Sequence, residues 1–263
     1  MPNYAVQLAY DGTSFVGWQS QINGPCVQDA VKSALDRLEQ GEHKVIGAGR
    51  TDSGVHARGQ VANVHMFREW EARRLLLALD AKLPDSVSAM RMVRVADDFH
   101  ARYDARSREY VYAIWNASVC YPHLKPYVHW LPGAFDWSLA AEACRLFEGQ
   151  HDFRAFARRN PPPGNSVRVL SRIRLRQRGK LILLRVRANG FLTHMVRIMV
   201  GTLCEIARGA KPIAWVEELL NHPQGNAPAG RKSPASGLHL WRVEYDLPLW
   251  GSQKIPEKGF SLV

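Results

Sequence analysis

Hydrophobic residues in this chain follow two periodicities that alternate along the sequence, and this alternation is the strongest constraint on its fold. From Tyr4 to Tyr10 the larger side chains occupy every second position, which is the period of a β-strand, and the following Asp11-Gly12 predicts a turn. From Val27 to Leu38 apolar residues recur at intervals of three and four, which predicts an amphipathic helix. This mixture of strands and helices predicts an α/β (α+β) fold.

The same patterns predict further elements. We expect strands near 44–48, 60–66, 87–95, 109–115 and 239–245, helices near 70–82 and 137–147, a hairpin over 169–188, and two helices before the last strand. A length of 263 residues lies above the usual single-domain range. Residues 97–107 are less apolar and carry several charges, so we place a junction there, between an N-terminal domain of residues 1–104 and a C-terminal domain of residues 105–263.

The chain is strongly basic. Its 35 Lys and Arg residues against 24 Asp and Glu give a net charge of +11, which favours encounter with polyanions. The basic residues are mostly Arg and are spread through segments with folded patterns, which suits RNA held on a shaped surface. In the predicted hairpin Arg172, Arg174 and Arg176 alternate with apolar residues, so one hairpin face is cationic. For the net charge, the alternative is that it serves solubility alone. For the hairpin face, the alternative is an ordinary solvated surface.

The sequence indicates neither a metal site nor a membrane-spanning segment. The four cysteines lie far apart and form no C-x-x-C pair, which predicts reduced thiols and neither a zinc knuckle nor a disulfide scaffold. His56, His65 and His100 lack the spacing of a metal site, so we expect no metal. The chain begins without a basic leader and contains no run of about 18 apolar residues, so we expect no membrane segment and a cytoplasmic location.

A glycine-rich segment from Gly47 to Ala57 is the best candidate for chemistry. A predicted strand runs there into a tight loop that presents Arg50 and Asp52 two residues apart, and the flanking glycines permit close approach by a bulky substrate. The segment matches neither a phosphate-binding P-loop nor a dinucleotide fingerprint. By composition alone, an ordinary turn explains it equally well.

A predicted helix in the C-terminal half of the chain carries an arginine whose charge needs a partner. Apolar residues surround much of the helix near 192–206, so Arg197 is expected to be largely buried and to require a carboxylate or several acceptors. Gly201 leaves space on the same face. A purely structural salt bridge remains the alternative. Tyr110 and Tyr112 alternate with Val111 in a predicted strand, and their spacing alone favours core packing.

Four segments of the chain carry a family resemblance. The string GRTDSGVHARGQV at residues 49–61 resembles the catalytic loop of the tRNA pseudouridine synthase A family, whose pattern is G-R-T-D-x-G-V-H-A. YDGTSFVGWQSQ, FHARYDARSREYVY and GFLTHMVRIMVGTL resemble family segments in the same order, so the resemblance spans nearly the whole chain. The chain departs from the pattern at Ser53, where many relatives carry Ala, at Ile198, where Asn is frequent, and across residues 227–238.

The resemblance implies roles for individual residues. Asp52 becomes the catalytic carboxylate, Tyr110 the aromatic ring that stacks on the target base, and Arg197 the ion-pair partner of Asp52. Arg50 resembles the residue that helps to extrude the uridine and to hold the RNA backbone. Further substrate contacts are expected from His56, Arg58, Phe99 and Arg102, with a supporting part for His100.

The resemblance also implies a fold and an activity. We expect two ferredoxin-like-derived α/β domains whose antiparallel-rich sheets join into a larger sheet around a central basic cleft. The expected enzyme isomerises uridine to pseudouridine in the anticodon stem-loop of tRNA, uses no cofactor and acts as a homodimer. A non-catalytic RNA-binding module or RNA folding aid, and a nucleoside hydrolase, are the alternatives. The sequence leaves open whether Asp52 attacks C1′, adds to C6 or assists elimination to a glycal, and whether Tyr110 or Asp52 removes the C5 proton.

Overall fold

The computed structural model describes residues 1–158, 165–223, 229–246 and 248–251. The strands are β1 (Asn3–Tyr10), β2 (Val45–Gly47), β3 (His56–His65), β4 (Val87–Val95), β5 (Ala105–Trp115), β6 (His129–Trp130), β7 (Gly149–Asp152), β8 (Val167–Arg178), β9 (Leu181–Ala188) and β10 (Leu238–Tyr245). The α-helices are α1 (Val27–Asp36), α2 (Ala72–Asp80), α3 (Trp137–Ala143), α4 (Met195–Ala207) and α5 (Trp215–Asn221).

The strands of the described residues form one ten-stranded sheet. Its main order is β4-β1-β3-β10-β5-β9-β8-β7, with β2 added to β3 and β6 added to β5. Most pairs are antiparallel, and the last strand, β10, lies between the halves of the chain because it pairs in parallel with β3 and antiparallel with β5. The predicted α/β fold with joined, antiparallel-rich sheets is confirmed. The division at residues 104 and 105 stays a prediction.

Local sequence patterns account well for the main elements. Strand β4 has the predicted bounds, and β1 differs from its prediction by one residue. The predicted helix over 137–147 is α-helical to Ala143 and then tightens into a 3₁₀ turn at Cys144–Phe147. The short strands β6 and β7 were not predicted, because runs of two and four residues are too short to show a period.

The cationic face of the β8–β9 hairpin lies on the side of the sheet opposite Tyr110. Arg187 on this face pairs with Glu109 at 2.9 Å, and Glu109 precedes Tyr110 in β5. Since successive side chains of a strand point to opposite faces, Glu109 and Tyr110 mark the two sides of the sheet. Arg174, on the same face as Arg187, pairs with Glu148. The face is therefore partly neutralised by carboxylates, and its contact with RNA stays a prediction.

Helix α4 is buried around most of its circumference and lies against the segment of residues 229–233. A Cβ at Gly201 would overlap the carbonyl oxygen of Arg231, and a Cβ at Gly230 would overlap the backbone of Thr202. These two glycines therefore allow backbone to pack directly on the helix. The close approach brings the carbonyl oxygen of Ser233 to 2.8 Å from Nε of Arg197.

Gly201→Ala should destabilise the protein, although alanine is the better helix former. Helix propensity alone favours Ala by about 0.8–1.0 kcal/mol. Overlap with Arg231 should outweigh this gain, because overpacking in a tight interior costs typically 1–3 kcal/mol. Urea denaturation measures the difference.

Gly49→Ala is the control for this substitution, because a Cβ at Gly49 meets no atom within 4 Å. The control should unfold at nearly the urea concentration of the wild type. A Gly201→Ala protein at least as stable as the wild type would show that residues 229–233 do not pack on α4 as described.

Candidate active site

A basic cleft opens where the loop between β2 and β3 meets β5 and the start of α4. Its volume is about 1130 Å³, which exceeds the size of most small-molecule pockets. Among the described residues its lining carries one carboxylate, that of Asp52. Seven cationic side chains in the described ranges line the same cleft: Arg50, Arg102, Arg108, Arg158, Arg168, Arg197 and Lys232. Such a lining attracts a polyanion and places a single anion among its charges.

The loop that carries Asp52 is held by residues 10–18, a segment to which the sequence assigned no chemistry. Thr51 accepts a backbone hydrogen bond from Trp18 at 3.1 Å, and its hydroxyl lies 2.9 Å from the Tyr10 hydroxyl. Gly17 forms an isolated β-bridge with Asp52 and has a φ of +118°, a conformation that favours glycine. The segment therefore fixes the backbone on which the carboxylate stands.

Asp52 and Arg197, the predicted pair, are in contact. Nη1 of Arg197 lies 3.2 Å from Oδ2 of Asp52, and Nε of Arg197 donates to the carbonyl oxygen of Ser233 at 2.8 Å. The Arg197 side chain is 9% exposed and that of Asp52 is 28% exposed. The guanidinium thus has acceptors on two edges, as a buried charge requires, while the carboxylate remains open to the cleft.

Tyr110 lines the cleft, and its ring is nearly buried. The ring of Phe191 meets it edge-on, with centroids 5.1 Å apart and planes at 87°. Burial raises the pKa of the Tyr110 phenol well above its ordinary value, and the negative charge of Asp52 acts in the same direction. The phenol therefore keeps its proton at neutral pH.

The other residues expected to contact substrate divide into two groups. Arg50 and Arg102 are exposed and line the cleft. His56, Arg58 and Phe99 are not part of the lining. Each of them packs against other parts of the protein. Their expected contacts with substrate stay predictions.

His56 is buried, and both of its ring nitrogens are used by backbone groups. Nδ1 accepts from the N–H of Gly12 at 3.1 Å, and Nε2 lies 2.9 Å from the carbonyl oxygen of Pro126. The guanidinium of Arg58 lies 4.8 Å from the ring centroid of Trp241, and the Phe99 ring packs on Tyr245 with centroids 5.3 Å apart. These contacts stabilise the packing of the segments around the loop that carries Asp52.

Arg108 is a site residue that the sequence analysis missed. Its guanidinium donates to the carbonyl oxygens of Ala48 at 2.9 Å, Ala105 at 3.0 Å and Asn189 at 2.9 Å. It therefore joins the start of the Asp52 loop to β5 and to the end of β9. One signal was available, because Arg108 stands two positions before Tyr110 in a strand and must share its face.

His194 was also missed. Its Nε2 lies 3.5 Å from Oδ2 of Asp52, on the oxygen that Arg197 contacts. The sequence offered no signal for this contact beyond the position of His194 three residues before Arg197.

Within the ranges that the structure describes, no group of three or more His, Cys, Asp or Glu residues lies close enough to hold a metal ion. None of the helices found in those ranges combines the length and the apolar character needed to cross a bilayer.

Comparison with known proteins agrees with the resemblance seen in the motifs. A family model described as tRNA pseudouridine synthase matches residues 6–104 and 143–246. The chain belongs to this family. The two matched ranges of the tRNA pseudouridine synthase model contain Asp52 and Arg197, and Tyr110 lies between them.

Individual relatives match over nearly their whole length. The tRNA pseudouridine synthase A of Moorella thermoacetica is 41% identical over 247 residues, which cover 93% of this chain and 100% of the relative. The tRNA pseudouridine synthase A of Aquifex aeolicus is 37% identical over 243 residues, covering 92% of this chain and 99% of the relative. The tRNA pseudouridine synthase A 2 of Clostridium perfringens is 36% identical over 245 residues, covering 93% and 100%.

A double-mutant cycle should measure strong coupling between Asp52 and Arg197. Arg197→Met removes the cation at similar side-chain length, and Asp52→Asn removes the anion. Because Arg197 is nearly buried, the coupling energy in urea denaturation should be roughly 1–3 kcal/mol, the range of hydrogen bonds to charged groups.

The same cycle on Arg106→Met and Asp246→Asn is the control, because this ion pair lies on the surface with both side chains more than half exposed. Exposed pairs contribute little, so no coupling should be resolved there. Additive effects at Asp52 and Arg197 would contradict the contact.

Proposed function

We propose that this protein isomerises uridine to pseudouridine in the anticodon stem-loop of tRNA, with Asp52 as the catalytic carboxylate. Family membership supports the reaction type. The observation that carries the proposal is the contact of Asp52 with the buried Arg197 inside a cleft whose other charged residues, among those described, are Arg and Lys. This arrangement holds one carboxylate in position and surrounds it with groups that bind phosphates.

The chemistry needs no external reactant. The bond between N1 and C1′ of the uridine breaks, the uracil turns, and C5 bonds to C1′ in its place. The proton leaves C5, and N1 gains a proton, so atoms and electrons balance. Attack at C1′, addition to C6 and assisted elimination all use the same carboxylate, which the contact with Arg197 holds in place.

A uridine stacked in an RNA helix must leave the stack to reach Asp52. Eversion costs a few kcal/mol, which aromatic stacking and phosphate contacts offset. Tyr110, backed by the edge of Phe191, offers an aromatic ring beside the carboxylate. Arg50 and Arg102 are exposed in the cleft lining and carry the charge to hold the RNA backbone.

Removal of the C5 proton needs a base, and Asp52 suits this step better than Tyr110. A general base must be unprotonated before it acts. Burial raises the pKa of the Tyr110 phenol, so its phenolate is scarce at neutral pH. Asp52 becomes free again once C5 has bonded to C1′. We assign Tyr110 to stacking and Asp52 to the proton transfer.

The activity is tested with tRNA carrying tritium at C5 of its uridines. Isomerisation releases tritium to water, a nucleoside hydrolase releases free uracil, and a non-catalytic RNA-binding module releases neither. Tritium should be released from uridines of the anticodon stem-loop and not from labelled uridines elsewhere in the tRNA. A chelator should leave the rate unchanged.

Asp52→Asn should lower kcat by on the order of 10³-fold or more, because the variant keeps the shape of the side chain and loses its charge. Binding of tRNA, measured by filter retention, should stay within about tenfold, since the lost group acts in the chemical step. Asp98→Asn, which changes an exposed aspartate outside the cleft, should release tritium at the wild-type rate. Normal turnover by Asp52→Asn would remove Asp52 from the mechanism.

We also propose that the enzyme is a homodimer in the cytoplasm, where its tRNA substrate is found. Residues 119–130 support a subunit contact, because Val119, Tyr121, Tyr127 and Trp130 are all exposed there. Val119 is 73% exposed and Tyr121 is 58% exposed. Clustered apolar side chains on a surface commonly mark protein contacts.

Tyr121→Lys should shift the molar mass measured by light scattering from that of two chains toward that of one. Ile22→Lys, at a fully exposed apolar side chain outside residues 119–130, is the matched control and should leave the mass unchanged. A wild-type protein with the mass of one chain at micromolar concentration would contradict the dimer.

A further inference from the structure

Two side chains from the start of α4 converge on one oxygen of Asp52. Nη1 of Arg197 lies 3.2 Å from Oδ2, and Nε2 of His194 lies 3.5 Å from the same atom. The His194 side chain is 7% exposed, so its ring is held in place by the protein. Within the described residues, Oδ1 of Asp52 receives no hydrogen bond from a side chain. The carboxylate is therefore anchored through one oxygen, and the other is open.

We propose that His194 is a positioning residue for the reaction, which holds Oδ2 of Asp52 together with Arg197 so that Oδ1 faces the everted uridine. This inference rests on the proposed isomerase function. It assigns His194 no contact with the substrate, and its effect passes through the orientation and charge of Asp52. A carboxylate held by one oxygen loses little freedom at the moment of reaction.

The backbone of His194 supports a role for its ring. His194 has φ of 66° and ψ of 3°, and it is the one residue other than glycine with positive φ in the described part of the chain. A left-handed conformation costs an L-residue roughly 1–2 kcal/mol, and glycine would avoid this strain. Strained backbone of this kind clusters at functional sites.

Helix capping does not explain the histidine. His194 occupies the N-cap position of α4, where a side chain often accepts a hydrogen bond from the first turn. The His194 ring makes no such bond. The ring contacts Asp52 instead. The contact with the carboxylate, and not helix capping, therefore explains a histidine at this position.

The charges around His194 favour a neutral ring. Burial lowers its pKa below the ordinary value, and the cations Lys232, Arg197 and Arg158 lower it further, while Asp52 opposes them. A neutral ring with its hydrogen on Nε2 makes a polar contact with Oδ2 at 3.5 Å without bringing a second full positive charge to the carboxylate. Protonation at lower pH would add that charge and weaken Asp52 as a nucleophile and base.

Two substitutions separate positioning from packing. Glutamine can place an amide N–H near the position of Nε2 and does not titrate, whereas asparagine tolerates left-handed backbone but is too short to reach Oδ2. In single-turnover tritium release at pH 7.5, His194→Asn should be about 10-fold slower, a factor that corresponds to about 1.4 kcal/mol, because long contacts at an active site tighten into hydrogen bonds when substrate binds. Its Kd for tRNA should stay within about threefold. His194→Gln should retain at least about a third of the wild-type rate.

The dependence of the rate on pH distinguishes positioning from packing, because loss of a packing contact alone would not change it. The rate of the wild type should fall at a pH below the ordinary histidine pKa of about 6.5, because burial and neighbouring cations lower the pKa of His194 and delay its protonation. His194→Gln should lose this part of the profile. His222→Asn, which changes an exposed histidine at the end of α5, should keep both the rate and the profile of the wild type.

His194→Asn at the full wild-type rate would overturn the proposal. An equal loss of rate in the Asn and Gln variants, with the acid part of the profile unchanged in both, would also overturn it, since that result marks a packing role. Melting curves of both variants should show that they fold.

A measurement without turnover keeps this test separate from that of the isomerase function. NMR titration of the His194 ring should show a lower pKa in Asp52→Asn than in the wild type, because the negative charge that raises it is gone. An unchanged titration overturns the contact. Absence of tritium release by the wild type, with the expected titration shift, would instead contradict the isomerase function alone.

Discussion

Burial of the Arg197 guanidinium is the constraint on which the rest of the site depends. A charge on a helix that is apolar around most of its circumference needs acceptors, and the one carboxylate of α4, that of Glu205, pairs with Arg208 instead. Asp52, 145 positions away in the chain, supplies one acceptor, and the carbonyl oxygen of Ser233 supplies another. The same contact that satisfies the buried cation therefore fixes the carboxylate, so the stability of this region and the geometry of the site share one interaction.

Several close approaches of backbone make that contact feasible. Gly201 and Gly230 let residues 229–233 lie directly on α4, which brings Ser233 to Arg197. Gly17 lets residues 10–18 lie against the Asp52 loop. Strand β10 lies between β3 and β5 and so aligns the end of that loop with Tyr110. The cleft is thus formed where the two halves of the chain meet, and glycines permit the close backbone contacts around it.

The charged residues of the protein are distributed unevenly around the contact between Asp52 and Arg197. Among the described residues, the charged side chains of the cleft lining are Arg and Lys, with Asp52 as the one carboxylate. Arg174 and Arg187 of the β8–β9 hairpin lie on the other face of the sheet, where Glu148 and Glu109 pair with them. An incoming polyanion is therefore drawn to the face that holds Asp52. His194, kept neutral by burial and by neighbouring cations, adds contact to Asp52 without adding charge.

The sequence by itself determined the main elements and the most important pair. Strand β4, the β8–β9 hairpin and α4 follow from local periodicity, because hydrophobic spacing is set by neighbours in the chain. The need of Arg197 for a partner followed from the apolar character of its helix, and the family resemblance named Asp52 as that partner. Strand alternation places Arg108 on the face of Tyr110, but its contact with Ala48 appears only in the tertiary structure. Only the tertiary structure decided that His194 joins the site and that His56, Arg58 and Phe99 stay outside the cleft. Such contacts depend on strand order, on glycine-permitted close approach and on the left-handed turn into α4. These are relations between distant segments that no local pattern encodes.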